Sequence, residues 1–202
     1  YYCKWIVGDT KIIGRVNTAC FGITIFATLL LGKIMHIMSK RNWCILGASF
    51  IIAGSLVLLI SPENVALVTF GGLLRGVGMT PILGMIFTMI ADAIEYGQWK
   101  TGLRTAGAIQ SATTSGQKFG QGIGSALIGF IMDVNAYNGN LDVQPEQALQ
   151  TIQDLFIYGV TILGIIMIII LLFYKLDKEY PTIIRELLAR EAEQIEKEKN
   201  MV

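Results

Sequence analysis

Long apolar runs separated by short polar breaks make up most of this chain. The runs fall at about 17–38, 43–60, 65–90, 106–132 and 155–174. Each holds the ~17 or more residues that a helix needs to cross ~30 Å of hydrocarbon, so five transmembrane helices are predicted. The breaks differ in character. Ser39 precedes a basic pair, Lys40 and Arg41; Ser61-Pro62-Glu63-Asn64 is a turn-forming cluster; and 133–154 is a polar loop with acids but no Lys or Arg. Residues 1–8 gather Tyr1, Tyr2 and Trp5 in the manner of an interfacial aromatic belt, so they are expected to end a helix begun further upstream. Polarity returns from 175 to 202. Pro181 suits the first turn of an amphipathic helix there, Glu186/Arg190 and Glu193/Lys197 have i,i+4 spacing, and this tail is expected to be solvated.

The fourth run is not uniformly apolar. Ser111, Thr114, Ser115, Lys118, Gln121, Gly122 and Ser125 recur at spacings of three and four, which places them on one helical face. Lys118 stands about twelve residues into the run, ~18 Å along at 1.5 Å per residue, close to the midplane of the hydrocarbon. An ionisable group at that depth is expensive and faces a water-filled cavity or a paired charge. The polar stripe around it describes a cavity wall; an ion pair made purely for packing is the alternative. Gly116, Gly120 and Gly124 form a separate smooth strip where another helix is expected to approach closely.

In the third run Gly71, Gly72, Gly76, Gly78, Pro81 and Gly84 crowd around Arg75, a composition that weakens a helix and favours a kink. Broken helices of this kind line transport sites. The other reading is that Arg75 snorkels to the nearer interface while the glycines serve packing. The fifth run has Ile, Leu and Met all round and is expected to face lipid.

Composition agrees with a membrane chain: 53% of the 202 residues are hydrophobic and 15% charged, where soluble domains carry about a quarter charged. A net charge of +1 gives no reason to expect a nucleic-acid partner. Cys3, Cys20 and Cys44, beside the single histidine His36, point to free thiols rather than a disulfide framework or metal site, and no cofactor is expected. Nucleophile elbows and phosphate-binding glycine loops are absent, which leaves no supported enzymatic reading. Basic residues divide eleven against three once Arg75 and Lys118 are set aside. Lys33, Lys40, Arg41, Lys100, Arg104 and the tail make the larger group, and Lys4, Lys11 and Arg15 the smaller. The positive-inside rule then puts the Trp99 segment and the C-terminus in the cytoplasm of a multi-pass protein of the cell membrane.

The segment ADAIEYGQWKTGLRTAG, read as a charged loop between the third and fourth runs, places Asp92, Glu95, Tyr96, Trp99, Lys100 and Arg104 at that basic side. Acids at the C-terminal end of a helix sit badly with its macrodipole and are expected to find cationic partners on another element. Pairs that make and break would form a cytoplasmic gate; ordinary solvated loop charges are the alternative.

These residues carry a resemblance. IADAIEYGQWKTGLRTAG followed by SGQKFGQGIGSALIG is similar to the loop between spans ten and eleven, and to span eleven, of the glycoside-pentoside-hexuronide:cation symporters of the major facilitator superfamily. YYCKWIVGD resembles the end of span seven in the same proteins. GKIMHIMSKR fits the spacing of the superfamily motif G-x-x-x-D-R-x-G-R-R at Gly32, Lys40 and Arg41, but His36 replaces its acid and Ser39 its glycine. The resemblance implies an all-α membrane protein: the C-terminal six-helix half of a twelve-span fold, with its first helix truncated to a stub at 1–8 and a cytoplasmic tail from 175. It implies secondary transport of a sugar, glycoside or hexuronide with sodium or protons by alternating access, with the N-terminal six-helix half as partner. Lys118, Ser111, Thr114, Ser115, Gln121 and Arg75 would then line the substrate and cation cavity. Lys40, Arg41, Asp92, Glu95, Tyr96, Trp99, Lys100 and Arg104 would form the cytoplasmic gate. A carrier of lipids or other solutes on the same scaffold, and a non-transporting membrane sensor or scaffold, are the other classes.

Overall fold

The computed structural model describes residues 1–8 and 11–201, with the side chains of Lys11, Arg15, Gln194, Glu198 and Met201 outside that description. A short α1 (Tyr2–Trp5) leads to α2 (Lys11–Ile34), which a 3-10 turn at Met35–Ile37 ends. Ser39 then caps α3 (Lys40–Leu56), its hydroxyl accepting the Asn42 N–H at 3.4 Å. Asn64 caps α4 (Val65–Thr101) in the same way, accepting from the Ala66 and Leu67 N–H groups.

Here the structure departs from the sequence reading. The helix of the third run does not stop near Ile90 but continues for 37 residues, about 55 Å at 1.5 Å per residue, to Thr101. Asp92, Glu95, Tyr96, Trp99 and Lys100 are therefore helical, and the loop shrinks to 102–105. Nothing breaks the helix before Gly102, which adopts φ 74°, the left-handed conformation of a helix end, and donates its N–H to the Gln98 carbonyl. Pro81 lies inside the same unbroken helix.

α5 (Ala106–Val134) follows, then a loop pinned by buried Gln144, whose side chain bonds both the N–H and the C=O of Asn138. α6 (Glu146–Asp154), a π-turn at Leu155–Gly159 and α7 (Val160–Phe173) form one continuous helical stretch. The tail is α8 (Leu176–Met201), which starts before Pro181 rather than at it. Among the described residues four stretches, Ile12–Ile37, Lys40–Leu59, Val65–Thr101 and Glu146–Phe173, are long and apolar enough to cross a membrane. α5 matches them in length, at 29 residues, but carries the polar face.

Packing centres on α4, which lies against α2, α3 and α8, while α3 also meets α7. The glycines of the third run do packing work. A Cβ on Gly54 would stand 2.6 Å from the Gly71 carbonyl oxygen, and Gly47 faces Gly78 just as closely. Two glycine pairs, seven residues apart on each helix, thus bring the α3 and α4 backbones together. Gly76 lies likewise against Ile23 and Cys20 of α2, and Gly164 of α7 against Ile52 of α3. Buried apolar clusters cover both ends of this block: Tyr2, Leu58, Val68, Met132, Ile152 and Ile157 at one, and Leu31, Trp43, Cys44, Met85 and Leu171 at the other.

α5 stands apart. Ile109 approaches Gly97 at its start and buried Met132 joins the first cluster at its end, but most of its length is exposed. Gly116, Gly120 and Gly124 have nothing within 4 Å. The close-packed glycine strip expected of α5 is found on α3 and α4 instead, because within this chain no described helix covers that face.

Candidate functional site

The polar face of α5 is present as one exposed surface. Ser111, Thr114, Ser115, Lys118 and Gln121 are all exposed, and Thr114, Ser115, Lys118 and Phe119 line a recess of about 350 Å³. The Thr114 hydroxyl donates to the Gln110 carbonyl, 3.0 Å away in its own helix. Among the described residues no carboxylate pairs with Lys118.

Arg75 does not join that face. It lies in the core of the bundle, where Nε donates to the Ser55 hydroxyl at 3.1 Å and Nη2 to the Phe156 carbonyl at 2.8 Å. The guanidinium also lies over the Phe156 ring, 4.3 Å from its centroid. The acceptor lies in the π-turn at Leu155–Gly159, where the regular i→i−4 pattern of the helix is interrupted. Arg75 therefore fastens α3, α4 and the α6–α7 stretch together. Its side chain also borders a cleft of about 310 Å³ between α2 and α4, with Asn17, Cys20 and Thr24.

The charged residues at the far end of α4 come together far more completely. Lys40 opens α3 and reaches both carboxylate oxygens of Asp92, at 2.7 and 2.6 Å. Asp92 is 2% exposed, so this pair is shielded from the screening that makes surface pairs weak. The acid missing from the GKIMHIMSKR loop is thus supplied to Lys40 by the neighbouring helix, while His36 is exposed in its 3-10 turn.

α8 completes the cluster. Asp177 accepts the Arg41 backbone N–H at 2.9 Å, satisfying one of the orphan donors at the start of α3 with a favourable charge. Arg41 Nη1 points at the Tyr174 carbonyl, 3.5 Å away. The Tyr180 ring lies 4.5 Å from Lys40 Nζ, and its hydroxyl donates to Glu95 at 2.6 Å. One turn on, Trp99 Nε1 donates to Glu186 at 2.6 Å, and Arg190 donates to the Trp99 carbonyl at 2.9 Å. Glu186 and Arg190 also approach each other, at 3.8 Å. Ile183 and Leu187, both buried, put an apolar stripe beneath these polar contacts. Tyr96 stacks obliquely on Trp99, with Lys100 5.7 Å from the Tyr96 ring. Arg104 is exposed in the loop and takes no part.

Burial pushes the Tyr180 hydroxyl above its ordinary value, reinforced by its bond to Glu95 and the charge there. Burial does the same for Tyr174, with Asp92 and Asp177 adding to the effect. Both tyrosines are therefore neutral hydroxyl donors throughout the working range of pH. The Tyr174 hydroxyl is buried and has no partner among the described residues.

The sequence reading missed Tyr180, Asp177 and Glu186 by taking the tail as solvated. A signal was available: Ile183 and Leu187 are four apart, with Tyr180 three before Ile183, one face of a helix.

An all-helical, multi-pass membrane bundle with charges held inside it is the class that this fold and site define. A family model described as MFS/sugar transport protein matches residues 1–178. The chain belongs to that family of the major facilitator superfamily, among relatives of the glycoside-pentoside-hexuronide:cation symporter type. It is similar to the isoprimeverose transporter of Lactiplantibacillus pentosus, 35% identical over 160 residues that make up 78% of this chain and 33% of that protein. The putative glycoside/cation symporter YagG of Escherichia coli is 28% identical over 200 residues, 96% of this chain and 43% of the relative. The uncharacterized symporter YjmB of Bacillus subtilis is 26% identical over 189 residues, 93% and 41% respectively. The chain spans between 33% and 43% of the length of these curated relatives.

Proposed function

We propose that this chain forms the C-terminal half of a symporter that couples entry of sodium or protons to uptake of a sugar, glycoside or hexuronide. The observation that carries this reading is the exposed polar face of α5, centred on Lys118, in a chain of the sugar transport family. A lysine near the bilayer midplane with hydroxyls and amides along its own face suits the wall of an aqueous cavity closed by a second half. Two halves rocking around a midplane site give alternating access.

An ion gradient drives sugar uphill only if the two solutes bind with a coupling free energy. Lys118 supplies such coupling if it competes with the cation for carboxylates across the cavity. In this reading the Lys40, Asp92 and α8 end lies in the cytoplasm and forms the gate on that side. Concentrative uptake of glycosides and hexuronides by the full-length protein, with imposed sodium and proton gradients applied separately, tests the proposal. Accumulation that collapses when one gradient is removed is the expected outcome. Uptake that only equilibrates, whichever gradient is imposed, would overturn it.

A further inference from the structure

The pair between Lys40 and Asp92 would form between α3 and α4 without α8, yet α8 holds on to both sides of it. On the α3 side Asp177 grips the Arg41 N–H. On the α4 side Tyr180 grips Glu95 and Glu186 grips Trp99. Between these grips the Tyr180 ring covers the Lys40 ammonium, and Ile183 and Leu187 exclude water from the seam. On turning outward Lys40 would leave that ring and leave the buried Asp92 carboxylate unpaired. Tyr174, at the start of the connection to α8, adds a buried hydroxyl with no partner among the described residues, and its carbonyl faces Arg41.

We propose that α8 is a latch on this end of the bundle. Docked, it keeps Lys40 and Asp92 paired within the chain; undocked, it lets them exchange partners, so its docking equilibrium sets the turnover of the gate. The inference rests on the assignment of this end as the cytoplasmic gate. The contacts are suited to the task, since a few hydrogen bonds and one short apolar stripe can open locally while the glycine-packed α3 and α4 core remains folded.

A native reporter sits one turn along α3 from the latched pair. Cys44 is 2% exposed and lies against Met89. Its alkylation by N-ethylmaleimide from the cytoplasmic side, followed peptide by peptide by mass spectrometry in the full-length protein, reads opening independently of any solute. Tyr180→Ala, which removes both the ring and the hydroxyl, is expected to speed that alkylation by about tenfold and to change solute counterflow turnover with little change in KM. Tyr180→Phe, which keeps the ring, should give a smaller effect, and Glu186→Gln tests the second grip in a protein whose folding is not at risk. Lys40→Met serves as the reference that opens the pair directly. If Lys40→Met speeds alkylation and neither Tyr180→Ala nor Glu186→Gln does, the latch is refuted and the gate stands. If Lys40→Met also leaves alkylation and counterflow unchanged, the gate assignment fails and the latch fails with it.

Discussion

Lys118 and Tyr180 show which side-chain placements a sequence can disclose. Periodicity sufficed to put Lys118 on one face with Thr114 and Ser115, because it is a property of one helix, and the three line a common recess. Tyr180 depends on partners 85 positions away in the chain, at Glu95, and no local pattern encodes such a pairing. Arg75 is intermediate: the glycines crowded around it were legible, but its acceptor, the Phe156 carbonyl, lies 81 positions downstream in an irregular turn. For Lys118 the expectation is sharp. If it faces carboxylates across the cavity, its removal leaves buried charge uncompensated, a cost of about 3–5 kcal/mol. Lys118→Met should abolish uphill accumulation by full-length protein that still reaches the membrane, while Phe119→Leu, which keeps an apolar side chain at the edge of the recess, retains most of it. Uptake under an imposed ion gradient checks both; wild-type accumulation by Lys118→Met would reduce the lysine to a packing role.

At the scale of the helices, a helix stands where each apolar run predicted one, but helix ends did not follow from run length, and α6 (Glu146–Asp154) lies inside the stretch read as a polar loop, because a short helix with polar residues leaves no apolar run. The run of the third helix fades near Ile90, because hydropathy reports the membrane rather than the backbone, and the backbone continues to the first left-handed glycine at Gly102. The glycines also divide by role in a way that composition cannot show. Gly54 meets the Gly71 carbonyl, whereas Gly120 meets nothing within 4 Å. Gly54→Ala should therefore destabilise the purified chain by about 1–3 kcal/mol, as overpacking against a rigid backbone does. Gly120→Ala should leave that stability unchanged or slightly raised, since alanine favours a helix by up to about 1 kcal/mol over glycine. Thermal unfolding of the two variants in the same detergent measures the contrast. Equal losses would mean that α5 is packed where the structure leaves it open.

For the molecule as a whole, α2, α3, α4 and α7 form a closely packed block to which α5 is joined mainly through its ends. Backbone amides in the middle of α5 should exchange hydrogen faster than those of α3 and α4 when this 202-residue chain is studied alone. They should gain protection in the full-length protein, and peptide-resolved exchange compares the two. Equal protection in both settings would show that α5 needs no outside partner. The block owes part of its coherence to the π-turn. Buried positions along the last membrane stretch are Ala148, Ile152, Ile157, Gly164 and Leu171, so the steps are four, five, seven and seven residues. Steps of four and seven keep a regular helix roughly in phase; a step of five, at ~100° per residue, overshoots a full turn by about 140°. The wide turn at Leu155–Gly159 absorbs that surplus where it arises. It acts as a phase corrector, without which Gly164 would rotate away from Ile52 and a bulky isoleucine or leucine would arrive in its place.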